Sequence, residues 1–293
     1  MTSAPKVSVI MAFRNSRATI LQAVQSVLAQ SLEDFEFIVV DDGSTDDSRE
    51  LIVALGDSRI RLLTNVANLG LAASLNRGID AAVGKYIARM DADDLAYPER
   101  LETQLEYLEI QSDVDLLGAS VMVFSGEGRC AGVLPTSQQN SVIQRSGRLG
   151  FFPLYHPTWM GKANWFRTHR YDETFKKAQD FELLLRAAST STYSNVNDVL
   201  LAYRYSPTTS LQLRLETRRY VWRAMRKNFT AARDFRSLIG GGVMTGAKAL
   251  RDVVLAAQLV QQETGAARLV QATDMQLKRW GEVLLELQAR SAE

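Results

Sequence analysis

Three carboxylates crowd into four positions at Asp91-Ala92-Asp93-Asp94, directly after the strand-like run Tyr86 to Met90. Like charges this close repel unless a cation or water screens them. A hard divalent ion, Mn²⁺ or Mg²⁺, takes oxygen ligands and shares them with substrate phosphates. The competing reading is an acidic turn ahead of the helix that begins near Pro98. A second acidic turn, Asp41-Asp42-Gly43-Ser44, follows the apolar run Phe35 to Val40. Alone it is turn chemistry, with Ser44 and Asp47 spaced like a capping box. Two such turns at the ends of two strands of one sheet point instead to a shared anionic pocket. Asp180 stands at the start of a helical run, Gln179 to Ala188, where the helix dipole favours a carboxylate whatever its role. The two histidines, His156 and His169, read as loop residues.

Short apolar runs and amphipathic helical patterns alternate over the first 125 residues and must position these groups. Val7 to Met11 suits a strand covered on both faces. Leu21, Val24, Val27 and Leu28 recur at helical spacing between Ala18 and Gln30, with Asn15 or Ser16 as the expected cap. Strands are predicted at Phe35 to Val40, Ile60 to Leu63, Tyr86 to Met90 and Leu116 to Phe124. Helices are predicted around Ser48 to Leu55, Leu71 to Val83 and from Pro98 to Ile110. This alternation predicts an α/β fold with a mostly parallel, Rossmann-like sheet and helices on both faces. Ligands of such sheets sit at the carboxyl ends of the strands, where Asn15, Asp41, Asp42 and Asp91 to Asp94 fall. Residues 126 to 159 are less periodic and read as loops and short strands. From Leu213 onward the pattern is helical throughout.

The chain of 293 residues has 46% hydrophobic and 23% charged residues, which excludes wholesale disorder. Its 34 basic residues balance 33 acidic ones, so binding of nucleic acid by bulk phosphate neutralisation is not expected. Cys130, the single cysteine, cannot close an internal disulfide, and with only two histidines a zinc site of the usual kind has too few ligands. Met1 to Lys6 lack the charged leader and cleavage site of a signal peptide. Lys248, Arg251 and Asp252 make Leu238 to Val260 a poor membrane span. The expected location is cytoplasmic.

In this order, several stretches resemble family 2 glycosyltransferases, which are inverting enzymes with the GT-A fold. They are Val7 to Met11 with Asn15, Asp34 to Asp46, Asn68 to Gly78, Ala88 to Asp94, His156-Pro157-Thr158, Ala178 to Arg186 and Leu201 to Arg204. The resemblance implies a catalytic domain over residues 1–212, its nucleotide-sugar half at 1–125 and its acceptor half at 126–212, followed by a helical extension at 213–293. It implies that Asn15, Asp41, Asp42, Asn68, Asp91, Ala92 and Asp93 form the donor site, with Asp42 on the nucleotide base. Asp91-Ala92-Asp93 matches the Asp-X-Asp motif, Asp93 being the first choice as ligand of Mn²⁺ or Mg²⁺ and Asp91 nearer the ribose. Asp180 matches the catalytic base. The implied reaction moves one sugar from a nucleotide sugar, a UDP-sugar by preference, to a hydroxyl of a glycan or lipid-linked acceptor in surface polysaccharide synthesis.

This sequence departs from the pattern at Ala12 for the usual Pro, Arg14 for a common aromatic, Gln179 for a frequent Glu, and Ser206 for a common His two residues beyond Arg204. Gln276-Leu277-Lys278-Arg279-Trp280 matches a signature of processive synthases, yet it lies far beyond Asp180 in an amphipathic helix and reads as coincidence. Arg214 to Arg236 carries eight Arg and Lys against two acids. That stretch reads as a solvated helix packed on the catalytic domain, with peripheral membrane contact as the sharper alternative. The rival of another class is a non-catalytic nucleotide-sugar-binding or scaffold protein, against which Asp42, Asp93 and Asp180 stand together. A nucleotidyltransferase would need a basic, glycine-rich loop after the first strand, and a dinucleotide dehydrogenase a glycine between Met11 and Ser16; neither is present.

Overall fold

The computed structural model describes residues 4–126, 128–205, 210–257 and 269–292. The first half runs β1 (Val7–Phe13), α1 (Ile20–Leu28), β2 (Phe35–Asp41), α2 (Ser48–Ala54), β3 (Ile60–Thr64), α3 (Leu71–Ala81) and β4 (Tyr86–Asp91). It continues through β5 (Leu95–Ala96), α4 (Arg100–Ile110) and β6 (Leu116–Ser125). Then follow β7 (Arg129–Leu134), α5 (Asn140–Arg148), a single 3₁₀ turn at His156–Thr158, β8 (Met160–Lys162), α6 (Ala163–Thr168), α7 (Gln179–Ala187) and β9 (Tyr193–Arg204). The chain ends in α8 (Leu211–Ala231), α9 (Phe235–Ala257) and α10 (Asp274–Ala292).

The nine strands form one sheet in the order β3-β2-β1-β4-β8-β6-β9-β5, with β7 paired to β6. β3, β2, β1 and β4 are parallel, as their βαβ connections require. Beyond β4 the short β8 runs antiparallel to both β4 and β6, while β6 and β9 are parallel. Alternation along β1 divides its side chains between two cores. Val7, Val9, Met11 and Phe13 pack toward α1 and α4, and Ile10 and Ala12 toward α3. Helices therefore cover both faces, as the alternating pattern predicts. A third cluster seats α10 through Trp280, Val283 and Leu287 on Tyr97, Met122 and Phe124. Helix α8 joins the α3 and α7 side through Val221, Ala224, Met225 and Phe229.

Three local expectations change. Neither Asn15 nor Ser16 caps α1 with its side chain; Thr19 is the cap residue, and the Ser16 carbonyl takes the amides of Thr19 and Ile20. The box expected of Ser44 and Asp47 does not form, because Asp46 takes both the amide and the hydroxyl of Ser48. The stretch expected as loops and short strands contains α5, whose sole large buried side chain is Ile143. A helix that buries one apolar residue leaves no stripe to read.

Candidate active site

Strand register assembles the site. Phe13 at the end of β1 pairs with Asp41, and its neighbour Ala12 pairs with Asp91. The two acidic turns thus leave adjacent strands at one edge, where parallel sheets bind ligands.

On the β2 side the predicted residues tie loops together. Asp41 Oδ1 accepts the Ser44 amide at 2.8 Å. Asp42 is buried, and its Oδ1 accepts Asn65 Nδ2 and the Leu69 amide, each at 2.8 Å. Its Oδ2 accepts the Gly70 amide at 2.9 Å, and Asn68 Oδ1 accepts the same amide at 3.1 Å. Asn15, at φ 52°, accepts the Thr45 amide through Oδ1 at 2.8 Å and donates its own amide to Ser44 Oγ at 3.0 Å. Gly43 sits at φ +69°, and a Cβ there would lie 2.8 Å from the Ala67 carbonyl carbon, so the two loops can close only over glycine. Asn15, Asp41, Asp42 and Asn68 belong to one wall.

On the β4 side a histidine joins the two halves. His156 Nε2 meets Asp91 Oδ2 at 3.0 Å, and His156 Nδ1 meets Asp180 Oδ2 at 2.9 Å. The other Asp91 oxygen accepts Arg89 Nη2 at 3.0 Å. Arg89 is buried on β4 between the rings of Trp159 and Tyr171. The turn carrying His156 is rigid because Thr158 Oγ1 accepts the Ala119 amide and donates to the Tyr155 carbonyl, and the Thr158 carbonyl accepts Gln104 Nε2. Asp180 lies in the first turn of α7, after Ala178 in the left-handed region, where the helix N-terminus supports its negative charge.

Electrostatics follow from these contacts. Burial and the nearby Arg89 disfavour a charged imidazole, but Asp91 and Asp180 outweigh them and raise His156 to about 9. Burial likewise works against ionised Asp180, and His156 with Arg89 overcomes it, holding the carboxyl at about 2. Asp91 is held well below the usual carboxylate range against the same burial, by Arg89 and then His156. Asp93 and Asp94 move the other way. Burial and the charge of Asp91 raise Asp93. Asp94, fully buried with Oδ2 lacking a hydrogen bond, is raised further by burial, Asp91 and Asp93. Arg204 at the end of β9 clamps this turn, its amide on Asp94 Oδ1 and its Nε on the Asp93 carbonyl, each at 2.9 Å. Ala92 is the buried spacer that turns Asp91 and Asp93 apart.

The tertiary structure thus brings Asp91 and Asp180 onto one imidazole and leaves Asp93 exposed beside them. Three contributors were missed as site residues in the sequence: His156, Arg89 and Arg204. The signals were a histidine before Pro157, and an arginine inside an otherwise apolar strand that must be buried with a partner. Among the described residues no three Asp, Glu, His or Cys side chains converge as a preformed metal group. Ser206, where relatives often carry His, lies outside the described residues. Gln276 to Trp280 sits on α10 away from this site: Trp280 Nε1 donates to the Gly128 carbonyl at 2.8 Å, and Arg279 pairs with Glu99.

Residues 8–170 match the family described as glycosyl transferase family 2. The chain belongs to this family. EpsE of Bacillus subtilis (strain 168), a glycosyltransferase by name, is 37% identical over 193 residues, which cover 64% of this chain and 68% of that protein. The succinoglycan biosynthesis protein ExoO of Rhizobium meliloti (strain 1021) is 33% identical over 198 residues, 62% of this chain and 56% of its own length. Among solved structures, S. aureus TarS 1–349 in complex with UDP-GlcNAc superposes with a TM-score of 0.65 at 16% identity, covering 96% of this chain and 80% of that one. That likeness establishes the GT-A fold, including the helical C-terminal segment. Glycosyl transfer is the activity of the family. The match ends at residue 170, so His156 lies inside it and Asp180 beyond it. No helix among the described residues is long and apolar enough to cross a membrane.

Proposed function

We propose that this glycosyltransferase moves a single sugar, with inversion, from a UDP-sugar to a hydroxyl of a glycan or lipid-linked acceptor during surface polysaccharide synthesis. The observation that carries the reading is the His156 bridge, which sets the donor-side carboxylate Asp91 and the carboxylate Asp180 one imidazole apart. Inversion needs a leaving group on one face of the anomeric carbon and a proton acceptor on the other. Asp180, ionised at neutral pH, takes the acceptor hydroxyl's proton as that oxygen attacks, and the bond to the nucleoside diphosphate breaks as the anomeric centre gains oxocarbenium character. His156 and Arg89 hold Asp91 in place for the donor ribose.

The nucleotide end fits a base presenting an N–H. A carboxylate offers about four acceptor sites, and Asp42 uses three of them on the loop after β3, leaving one free. The UDP-GlcNAc complex of TarS supports uracil as that base. ExoO's name supports a polysaccharide product.

The residues fit a divalent metal carried in with the donor. Asp93 keeps an exposed edge at the mouth of the site, while the protein packed around its carboxyl and then the charge of Asp91 raise it, so a cation that relieves the repulsion is favoured. Asp93 would hold the ion first; Asp91, whose two oxygens are engaged by Arg89 and His156, would join it as the further ligand of the motif only by releasing one of those contacts. Mg²⁺ and Mn²⁺ commonly bind through one or two carboxylates and substrate phosphates, which this set provides. When bound, the ion stabilises charge on the departing diphosphate.

Calorimetric titration with UDP, GDP and dTDP, each with Mn²⁺ or Mg²⁺ and again with chelator, tests the reading. Metal-dependent preference for UDP is expected. Binding of none of the three would transfer support to a non-catalytic scaffold with the same fold.

A further inference from the structure

A cavity of about 490 Å³ lies between β9, the start of α4 and the start of α10, a volume within the range of small-ligand sites. No residue of the candidate active site lines it. Its wall on β9 is built by a bulge. Ala119 of β6 pairs with Val196 and the next residue, Ser120, with Val199, so Asn197 and Asp198 are pushed out of the ladder. Both are exposed, and among the described residues neither side chain has a hydrogen bond or an ion pair. The hydroxyl of Thr103 on α4 lacks one as well. A buried group in the wall is also unmatched: Tyr97 is 1% exposed, and its hydroxyl has no hydrogen-bond partner. Buried hydroxyls left without a partner are rare in folded proteins.

The rest of the lining decides what fills the cavity. Glu99 and Arg279, both in the wall, neutralise one another at 2.8 Å, which leaves Asp198 as the one uncompensated charge of the lining. A phosphate or nucleotide would meet that carboxylate with like charge. A metal ion would find too few ligands, since no three Asp, Glu, His or Cys side chains converge among the described residues. The open groups suit hydroxyls instead. A carboxylate accepts hydrogen bonds, an amide donates and accepts, and a hydroxyl does either. Apolar surface lies beside them, from Val199 and from Met275, which is 81% exposed. A sugar ring carries hydroxyls at its edge and C–H groups on its faces, so it uses both kinds of surface at once. The α10 wall is fixed, because the side chains of Thr273 and Gln276 each accept the other's backbone amide.

We propose that this cavity is a second saccharide site, which holds part of the acceptor glycan away from the reacting hydroxyl. On β9, Leu200 in the wall precedes by four residues Arg204, which clamps the turn of Asp93 and Asp94. At about 3.3 Å per residue the separation is roughly 13 Å, farther than one sugar ring extends. The site therefore engages a chain whose end is being extended, and it rests on the reading of the acceptor as a glycan.

Saturation-transfer NMR on the full chain with cellotetraose, maltotetraose, mannotetraose and chitotetraose tests it. Transfer to at least one of these is expected, and UDP with Mn²⁺ is expected not to displace it. Asn197→Ala with Asp198→Ala is expected to weaken that binding by about tenfold or more, since the pair supplies the open hydrogen-bonding groups of the bulge. Both side chains are exposed and unpaired, so circular dichroism and the UDP titration are expected to match the unsubstituted protein. Transfer to none of the saccharides, undiminished transfer in the double variant, or displacement by UDP overturns the proposal. UDP binding without saccharide transfer removes this site and leaves the donor reading in place. Saccharide transfer that the double variant loses, without binding of any nucleotide, keeps the site and removes the donor reading.

Discussion

Replacing Asp180 with asparagine removes one negative charge and almost no volume. In the resting site Asp180 Oδ2 accepts His156 Nδ1 at 2.9 Å, and an asparagine carbonyl can accept the same proton. Asp91 still holds the imidazole from the other side at 3.0 Å. The folded ground state therefore loses the difference between a charge-assisted and a neutral hydrogen bond, about 1 kcal/mol. The transition state loses its proton acceptor, and general-base help is worth about 10² to 10⁴ in rate, or about 3 to 5 kcal/mol. These two magnitudes separate the roles open to Asp180. As the base, Asp180→Asn lowers kcat by roughly a hundredfold or more while nucleotide affinity stays within about twofold. As a helix-start charge alone, it lowers stability slightly and leaves kcat in place. Steady-state release of nucleoside diphosphate with acceptor present, beside calorimetric titration of the nucleotide, makes the measurement. Glu182→Gln is the control: Glu182 is buried two residues further along α7, paired with Arg186 and Lys227, and its loss is expected to lower Tm without changing kcat of the folded enzyme. An Asp180→Asn enzyme turning over near the normal rate refutes the base assignment.

The remaining expectations are as direct. Asp93→Ala is expected to abolish the metal-dependent part of nucleotide binding, and calorimetry showing equal affinity with and without chelator only in this variant is the supporting result. The two histidines are expected to titrate in opposite directions from 6.5 in the metal-free protein: His156 upward to about 9 against its burial, through Asp91 and Asp180, and His169 downward through burial and then Arg186. Because the folded value of His156 exceeds the unfolded one, its contribution to stability is complete below about pH 6.5 and is lost as pH rises through about 9. Side-chain NMR reads both, and a His156 resonance moving near 6.5 contradicts the bridge. Trp280→Ala is expected to cost about 3–5 kcal/mol of stability through the cavity it leaves. Trp280 is buried and its ring lies 5.0 Å from that of Phe124 and 6.3 Å from that of Tyr97. Thermal unfolding registers the loss, and an unchanged kcat at low temperature confirms that the Gln276 to Trp280 stretch serves packing.

Local physics made half of this molecule legible. An apolar run such as Val7 to Phe13 has to be covered on both faces, and a polar turn directly after it has to sit at the strand's carboxyl end, so the first four parallel strands and the acidic turns could be placed from residue order alone. The second half was harder for reasons visible in particular elements. β8 has three residues and α5 one large buried side chain, too little pattern for a period to emerge, and β9 carries polar Asn195, Asn197 and Asp198 in its middle. Asp180 could be placed at a helix start, but the sequence could not show what it faces.

What the sequence by itself determined is the α/β class, the family and the carboxylates of the two turns, because those depend on residue types within a few positions of one another. Only the tertiary structure decided that His156 joins Asp91 to Asp180, that Arg89 lies buried behind Asp91, and that Arg218 and Lys227 of basic α8 are taken up by Asp252, Asp172 and Glu182. The reason is distance along the chain. His156 reaches partners on β4 and α7 because a 3₁₀ turn is pinned between β4 and β6, and a charge on a helix is satisfied or free according to which distant carboxylate its face meets. No pattern within one segment carries that information.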